Sequence, residues 1–415
     1  MRVLLLSQYF WPESFQINQI ATALADRGIE VEVLTGKPNY PAGKIFPGYR
    51  AGGCQSEEYH GIPVHRLPLM PRASGGVRLA LNYLSFILSG LLLAPWMLRK
   101  KKFDVVFVYA PSPILQAIPA IFLGWLKGAR TILWVQDLWP ESLSATGHVN
   151  NPRVLKAVEH VVRYIYRHMD LLLVQSEAFI APVSALAGGT PVLYHPNSVD
   201  DSFAAPSSAP VPALAGLDAP FSVLFAGNIG TAQAVQVIVA AARLLKDHAD
   251  IAFVVVGDGS RHAWMQAQAA EHGLQNLHLP GRFPVETMPG LMHKASALLV
   301  TLADQEIFRH TVPSKVQAYL AAGRPIIACL NGEGARLVEA ARAGVTVAAE
   351  DGEALAAAVL RLYRTDAAER AAMGRRGADY HVAHFSHAML VDQLAALLRS
   401  QSGRAAKGDP ATARR

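Results

Sequence analysis

Short apolar runs alternate with helix-length segments along the first half of the chain. Ala21–Asp26 has the pattern of a helix that ends at Gly28, and Arg2–Ser7 before it is a short, strongly apolar run. Strands are predicted at Arg2–Ser7, Ile29–Leu34, Ile62–Leu67, Val105–Tyr109, Thr131–Val135, Leu171–Val174 and Val192–Tyr194. Strands that alternate with helices form βαβ units, so the pattern predicts a mostly parallel sheet.

The pattern stops at Asn197–Pro220, which is rich in Pro, Ala and Ser and has no period. It then restarts with strands at Ser222–Ala226, Ala252–Val256, Leu277–Leu279, Leu298–Val300 and Pro325–Ala328, and with a helix over Ala234–Leu245. We therefore expect two doubly wound α/β domains in tandem. The predicted divisions are a first domain over 1–198, a linker over 199–220, a second domain over 221–385, a C-terminal helix over 386–401 that packs back on the first domain, and a disordered tail over 402–415.

Leu79–Leu98 is unusually apolar and long enough for a helix that crosses a bilayer. Crossing is not expected, because the next strand belongs to the same predicted sheet as Arg2–Ser7. Asn82, Ser85 and Ser89 mark one mildly polar stripe. Two interpretations stay open: the helix packs under a neighbour such as Leu115–Leu126, or residues 79–102 lie on an anionic membrane surface with Arg99–Lys102 against the lipid.

Composition narrows the classes of function. The 415 residues are 51% hydrophobic and 17% charged, with a formal net charge of +6. This surplus suits phosphate-bearing ligands or anionic lipid, whereas a nucleic-acid partner is not expected without a basic stripe interleaved with aromatics. Cys54 and Cys329 lack metal spacing, and Val3–Leu6 is too short for a signal peptide, so a cytoplasmic protein is expected.

Candidate chemistry concentrates in the second half. Val223–Gly230 and Phe253–Gly259 are both strands that end in glycine turns, where backbone amides can approach a ligand. Thr311–Lys315 then opens a helix that Gly323 ends, with Ser314 as the expected N-cap. Free amides at that helix start and Lys315 form a candidate anion site. The alternative is an ordinary capped helix with a solvated lysine.

Five segments together resemble the bacterial family 4 glycosyltransferases: AGNIGTAQA, VVVGDGS, TVPSKVQAYLAAGRPI, FWPES and WVQDLWPES. The similarity is to the O-antigen and colanic-acid branch, whose members use N-acetylated deoxysugar nucleotides such as UDP-N-acetylfucosamine. It implies the GT-B fold, two Rossmann-like domains facing across a cleft. It also implies a nucleotide-diphosphate sugar, of the UDP-sugar type, as co-substrate held by the second domain. The resemblance also implies transfer with retention of configuration and no need for a cofactor or metal. It implies a lipid-linked polyprenyl-diphosphate acceptor held by the first domain, and a peripheral position on the inner face of the plasma membrane.

The chain departs from the family pattern at the donor site. Asn228 and Gln233 stand where relatives have Arg and Lys, and His310 and Ala318 stand where they have paired glutamates. We interpret this as a variant donor site in which Lys315 and Arg309 supply positive charge. The predicted donor-binding residues are Gly227, Asn228, Gly230, Gln233, Gly257, Gly259, Arg282, Arg309, Thr311, Ser314 and Lys315.

Three residues are catalytic candidates: Asp137, Glu13 and His310. Asp137 follows a strand, beside Gln136 where relatives have a histidine, and a carboxylate there can orient or deprotonate an acceptor hydroxyl. The alternative for Asp137 is a helix cap, and for Glu13 a plain turn residue. The resemblance implies that the leaving diphosphate acts as the base, so no nucleophile is required.

Two other functions remain open. A sugar-nucleotide 2-epimerase shares the fold but needs no acceptor and no membrane contact. A non-catalytic sugar-nucleotide-binding assembly protein would explain the missing glutamates. An oxidoreductase is disfavoured, because no GxGxxG follows the first strand of either domain.

Overall fold

The computed structural model describes residues 1–72, 76–145, 151–205 and 210–402, so residues 403–415 of the predicted tail lie outside it. The chain forms two compact units. Unit 1 comprises Met1–Pro196 and the chain from Ala388 onward, and unit 2 comprises Asn197–His387. The described part of the predicted linker packs within unit 2, where Leu214 and Leu217 are buried in the core.

Unit 1 is built on a sheet with strand order β3-β4-β2-β1-β5-β6-β7-β8 in the described residues. All neighbours pair in parallel except β3 and β4. The strands are β1 (Arg2–Leu6), β2 (Glu30–Gly36), β3 (Gln55–Tyr59), β4 (Ile62–Leu67), β5 (Val105–Ala110), β6 (Arg130–Val135), β7 (Leu171–Val174) and β8 (Val192–Tyr194). The helices are α1 (Ile17–Asp26), α2 (Gly76–Leu92), α3 (Ala94–Met97), α4 (Ala117–Lys127), α5 (Glu141–Ala145), α6 (Pro152–Arg167) and α7 (Ile180–Ala187).

Unit 2 has a parallel sheet of order β11-β10-β9-β12-β13-β14 in the described residues, with an apolar core on each face. Its strands are β9 (Phe221–Ala226), β10 (Ile251–Val256), β11 (Leu277–Gly281), β12 (Ala297–Thr301), β13 (Ile326–Cys329) and β14 (Gly344–Val347). Its helices are α8 (Gln236–Leu244), α9 (His262–Glu271), α10 (Met288–Lys294), α11 (Glu306–His310), α12 (Ser314–Ala322), α13 (Glu333–Ala340), α14 (Gly352–Arg364) and α15 (Ala367–His384). The final helix, α16 (His387–Ser402), packs on unit 1.

Three local predictions were wrong. The single helix expected over Leu79–Leu98 is two, because Pro95 lacks an N–H and opens a new helix, α3. Ser314 is the first residue of α12 rather than its N-cap, since Pro313 holds that position in an extended conformation. The edge strand β3 was missed, because its QSEEY sequence carries no buried run.

Within the described residues, none of the helices is long and apolar enough to span a membrane.

Candidate functional site

Two glycine turns lie side by side at the carboxyl edge of the unit 2 sheet. The Gly227 N–H donates to the Val256 carbonyl (2.9 Å), and the Ile229 N–H donates to the Asp258 carbonyl (2.9 Å). A Cβ on Gly257 would lie 1.8 Å from the Gly227 carbonyl oxygen, so only glycine permits this approach. The two turns predicted separately from the sequence therefore form one backbone surface.

Lys315 reaches this surface from the first turn of α12. Its Nζ is buried without a hydrogen-bond partner in the described residues and lies 3.5 Å from the centre of the Phe225 ring. A Cβ on Gly227 would lie 2.6 Å from the Lys315 Cε, so the glycine makes room for the lysine. Burial lowers the pKa of Lys315 to about 7. An amine held against glycine turns and a helix N-terminus is well placed to meet an anionic ligand.

Asn228 and Gln233, the residues predicted to stand in place of cations, bond to each other. Gln233 Oε1 accepts hydrogen bonds from Asn228 Nδ2 (3.0 Å) and the Gly230 N–H (3.2 Å). Gln233 therefore shapes the turn of Gly227–Gly230. Gly259 lies in the neighbouring turn, where a Cβ would lie 2.4 Å from the Ile229 carbonyl oxygen.

The remaining predicted donor residues are less closely gathered. Arg309 pairs with Asp304, with its Nε 3.0 Å from Oδ1. The hydrogen bond from Asn331, with that from Arg309, holds the pKa of the Asp304 carboxyl below its usual value. The Thr311 hydroxyl donates to the Ile307 carbonyl (2.9 Å), and Arg282 is exposed just after β11. His310 ends α11, the short helix that leads to Thr311. Arg309 is thus paired with Asp304, whereas Lys315 lies against the Gly227 turn.

In unit 1, Asp137 follows β6 at the carboxyl edge of the sheet. Burial raises its pKa to about 7, and its carboxylate accepts no hydrogen bond from the described residues. Burial raises the pKa values of Tyr109 and Tyr83, and the nearby Asp137 charge adds to that rise. The cap interpretation would require a backbone N–H to the carboxylate. A desolvated carboxyl without such a partner can exchange a proton with a bound hydroxyl near neutral pH.

Glu13 has the contacts of a residue that fastens loops. Its Oε1 accepts from the backbone N–H groups of Asn39 (2.8 Å) and Tyr40 (2.7 Å), and its Oε2 accepts from Phe10 (3.3 Å). The carboxylate is 2% exposed. These bonds join the loop after β1 to the loop after β2, so Glu13 positions both loops, and its catalytic role stays a prediction.

A row of buried polar side chains that the sequence did not predict accompanies Asp137. Val135, Val174 and Tyr194 are aligned on neighbouring parallel strands, so the residues that follow them, Gln136, Gln175 and His195, share one row. All three are at least nine-tenths buried. Gln136 Nε2 and Gln175 Oε1 have no hydrogen-bond partner among the described residues.

The row has the chemistry of a neutral site. The His195 ring lies 4.9 Å from the Trp134 ring, and burial lowers the pKa of His195 to about 4, so the imidazole is uncharged at neutral pH. The indole N–H of Trp139, two residues after Asp137, is also buried without a partner in the described chain. Unsatisfied amide and indole groups complement hydroxyl groups better than phosphate.

Comparisons with known proteins agree with this layout. The family described as "Glycosyl transferase 4-like domain" matches residues 14–199, and "Glycosyl transferases group 1" matches residues 220–365. The putative colanic acid biosynthesis glycosyl transferase WcaI of Escherichia coli K12 is 26% identical over 347 residues, covering 78% of this chain and 82% of the relative. The probable glycosyltransferase WbjE of Pseudomonas aeruginosa is 26% identical over 244 residues, covering 56% and 59%.

The chain belongs to the bacterial family 4 glycosyltransferases. Its similarity to WcaI and WbjE places it in the O-antigen and colanic-acid branch. This confirms the resemblance on which the donor-site predictions rest.

Solved structures confirm the GT-B fold. Sucrose-phosphate synthase of Thermosynechococcus elongatus superposes with a TM-score of 0.74 at 17% identity, covering 97% of this chain and 99% of that one. Anabaena Alr3699/HepE, solved in complex with UDP, gives a TM-score of 0.69 at 14% identity and covers 96% and 100%. The family models and relatives show a glycosyltransferase, and the solved structures show that its fold is GT-B.

Proposed function

We propose that the enzyme transfers a sugar, with retention, from a nucleotide-diphosphate donor to a lipid-linked acceptor in cell-surface polysaccharide synthesis. Unit 2 holds the donor and unit 1 holds the acceptor. The observation that carries the proposal is the Lys315 Nζ, buried without a partner in the described residues against Gly227. A buried cation is costly unless paired, and a diphosphate supplies the missing charge.

A UDP-sugar is the donor we favour, of the N-acetylated deoxysugar type implied by the sequence resemblance. Support comes from the Anabaena relative of the same fold that was solved with UDP. Lys315 and the free amides at the start of α12 neutralise the diphosphate, and Gly227, Gly257 and Gly259 let its oxygens approach the backbone. Because these residues supply the compensating charge, the proposal needs no metal ion.

The row of buried polar side chains in unit 1 binds the acceptor in this proposal. Gln136, Gln175 and His195 bond hydroxyls of the acceptor sugar, and Asp137 orients the hydroxyl that attacks. The 2-epimerase alternative gives no role to such a row, because an epimerase binds no acceptor. The assembly-protein alternative predicts donor binding without turnover.

A thermal-shift panel of UDP-, GDP-, dTDP- and CMP-sugars tests the donor assignment, because a ligand that binds the native state raises the melting temperature. We expect one nucleotide class to stabilise the wild type and the Lys246→Ala control, which removes an exposed lysine of unit 2. Lys315→Ala should abolish most of that shift. An equal shift in Lys315→Ala would refute the diphosphate site.

The reaction is tested with the stabilising donor, radiolabelled, and bacterial membranes as the acceptor source. Label that enters the lipid fraction supports transfer, epimerised nucleotide sugar identifies an epimerase, and binding without turnover identifies an assembly protein. Activity that persists in EDTA supports the metal-free mechanism, and NMR of the product anomer tests retention.

A further inference from the structure

Helix α2 has its polar stripe turned inward. Asn82 is fully buried: its Oδ1 accepts from Gln8 Nε2 (2.8 Å), and its Nδ2 donates to the Met70 carbonyl (2.6 Å). The Ser89 hydroxyl donates to the Pro68 carbonyl (2.7 Å). The polar side chains of this stripe are therefore internal tethers of the helix.

The outward side of the helix is apolar instead. Leu81, Leu84, Leu88 and Leu92 recur at helical spacing and are exposed, Leu92 by 73%. Trp96, on α3, continues the row with 63% exposure. Large apolar side chains on a water-facing row reverse the usual polarity of a surface helix.

Helix α4 packs beside α2 and carries further exposed apolar side chains. Gly90 of α2 packs against Pro119 of α4, where an added Cβ would lie 2.7 Å from the proline Cβ. At the end of α4, Trp125 is 77% exposed, next to the exposed Leu126. The apolar face, as we define it, comprises Leu81, Leu84, Leu88, Leu92, Trp96, Trp125 and Leu126.

Taken together, helices α2, α3 and α4 contain basic residues but no acidic ones. Arg78, Arg99, Lys100 and Lys102 are exposed beside the face. Lys101 is not available, because its Nζ pairs with Glu32 at 2.5 Å. The basic run Arg99–Lys102 therefore has fewer unpaired charges than its sequence indicates. The exposed apolar side chains are the main feature of this surface.

We propose that the apolar face docks on an anionic lipid bilayer, with its leucines and tryptophans inserted at the headgroup level and the flanking Arg and Lys on lipid phosphates. Tryptophans and a basic margin fit a membrane interface. A second copy fits poorly, because symmetric pairing of this face would bring the same basic residues together. The proposal deepens the proposed function and rests on it, since a lipid-linked acceptor lies in that bilayer.

Vesicle flotation tests the proposal, with phosphatidylcholine vesicles and with vesicles that also contain phosphatidylglycerol. The wild type should float with the anionic vesicles. The double variant Leu88→Ser/Trp125→Ser should reduce the partition coefficient at least about tenfold, because two large apolar side chains no longer enter the lipid. The matched control Leu244→Ser/Val285→Ser, which changes two exposed apolar residues of unit 2, should float like the wild type.

Neutralising Arg99, Lys100 and Lys102 to Gln should give a smaller, salt-dependent loss. A wild type that stays unbound, a double variant that floats normally, or a dimer in sedimentation that Trp125→Ser dissociates would each overturn the membrane assignment. The donor-induced thermal shift of the double variant separates the two proposals. An unchanged thermal shift would show that the donor site is intact even if the double variant no longer binds vesicles.

Discussion

At the scale of single residues, Lys315 shows what one buried charge contributes. Replacing it with Ala removes a charge-assisted phosphate contact worth about 1.5–3 kcal/mol, which is roughly a 10- to 150-fold weaker donor Kd. The fold should survive, because the Nζ has no protein hydrogen bond to lose in the described chain. Titration calorimetry with the stabilising nucleotide measures the donor Kd, and circular dichroism measures whether the fold survives. An unchanged Kd would contradict the role of Lys315.

The pH dependence of donor binding follows from the same burial. Lys315 has a pKa near 7, lowered from 10.5, so its charged form dominates below pH 7 and is lost above it. Donor affinity should be greatest below pH 7 and fall by up to about tenfold per pH unit above it. Lys315→Arg keeps its charge at every pH and should flatten the profile between pH 7 and 9. The same slope in both proteins would show that another group titrates.

Asp137 should affect turnover rather than donor affinity. Its pKa near 7 means that the carboxylate forms only as pH rises through neutrality. Asp137→Asn keeps the shape but loses the carboxylate that orients the attacking hydroxyl, so kcat should fall by about 10²–10⁴ while donor Kd stays constant. Asp26→Asn, an exposed carboxylate at the end of α1, is the control. Equal losses in donor binding or in melting temperature would make Asp137 structural.

Single residues also mark the limit of sequence reasoning. Gly227, Gly257 and Lys315 were predicted because glycine turns and a helix start are visible in local sequence. Gln175 and His195 were not, because their row depends on the register of β6, β7 and β8, which no local pattern encodes. Asn228 and Gln233 were predicted as donor ligands, yet their side chains bond to each other across the turn.

At the scale of elements, hydrophobic periodicity predicted the parallel strands well, since buried β-branched runs are strongly marked. It did not predict which side of α2 is buried, because the helix is mostly apolar and the inward position of its polar stripe depends on hydrogen bonds to Gln8, Met70 and Pro68. The interpretation that α2 packs beneath α4 holds only in part. The two helices touch at Gly90 and Pro119, yet the row through Leu84 and Leu88 stays exposed.

At the scale of the whole molecule, the last helix belongs to the first unit. Val391, Leu394 and Leu398 of α16 are at most 3% exposed and lie in the core that α1 also covers. The Arg27 guanidinium donates to the Ala388 carbonyl (3.0 Å), and Arg399 donates to the Arg27 carbonyl (2.6 Å). The chain therefore leaves unit 1 at Pro196 and returns at Ala388. Stability of unit 1 consequently depends on residues nearly two hundred positions away.

Leu394→Ala tests that dependence. Truncating a buried leucine costs about 2–5 kcal/mol through lost burial and the cavity left behind. Only unit 1 should lose stability. Amide hydrogen exchange should therefore accelerate in peptides of β1, α1 and α16 and stay unchanged in β9 and α12. The donor-induced thermal stabilisation that depends on Lys315 should persist, because that site lies within unit 2. Gln393→Ala, on the exposed side of α16, should change neither set of peptides. Faster exchange throughout unit 2 in Leu394→Ala would mean that the two units unfold together. That result would contradict the prediction that α16 stabilises unit 1 alone.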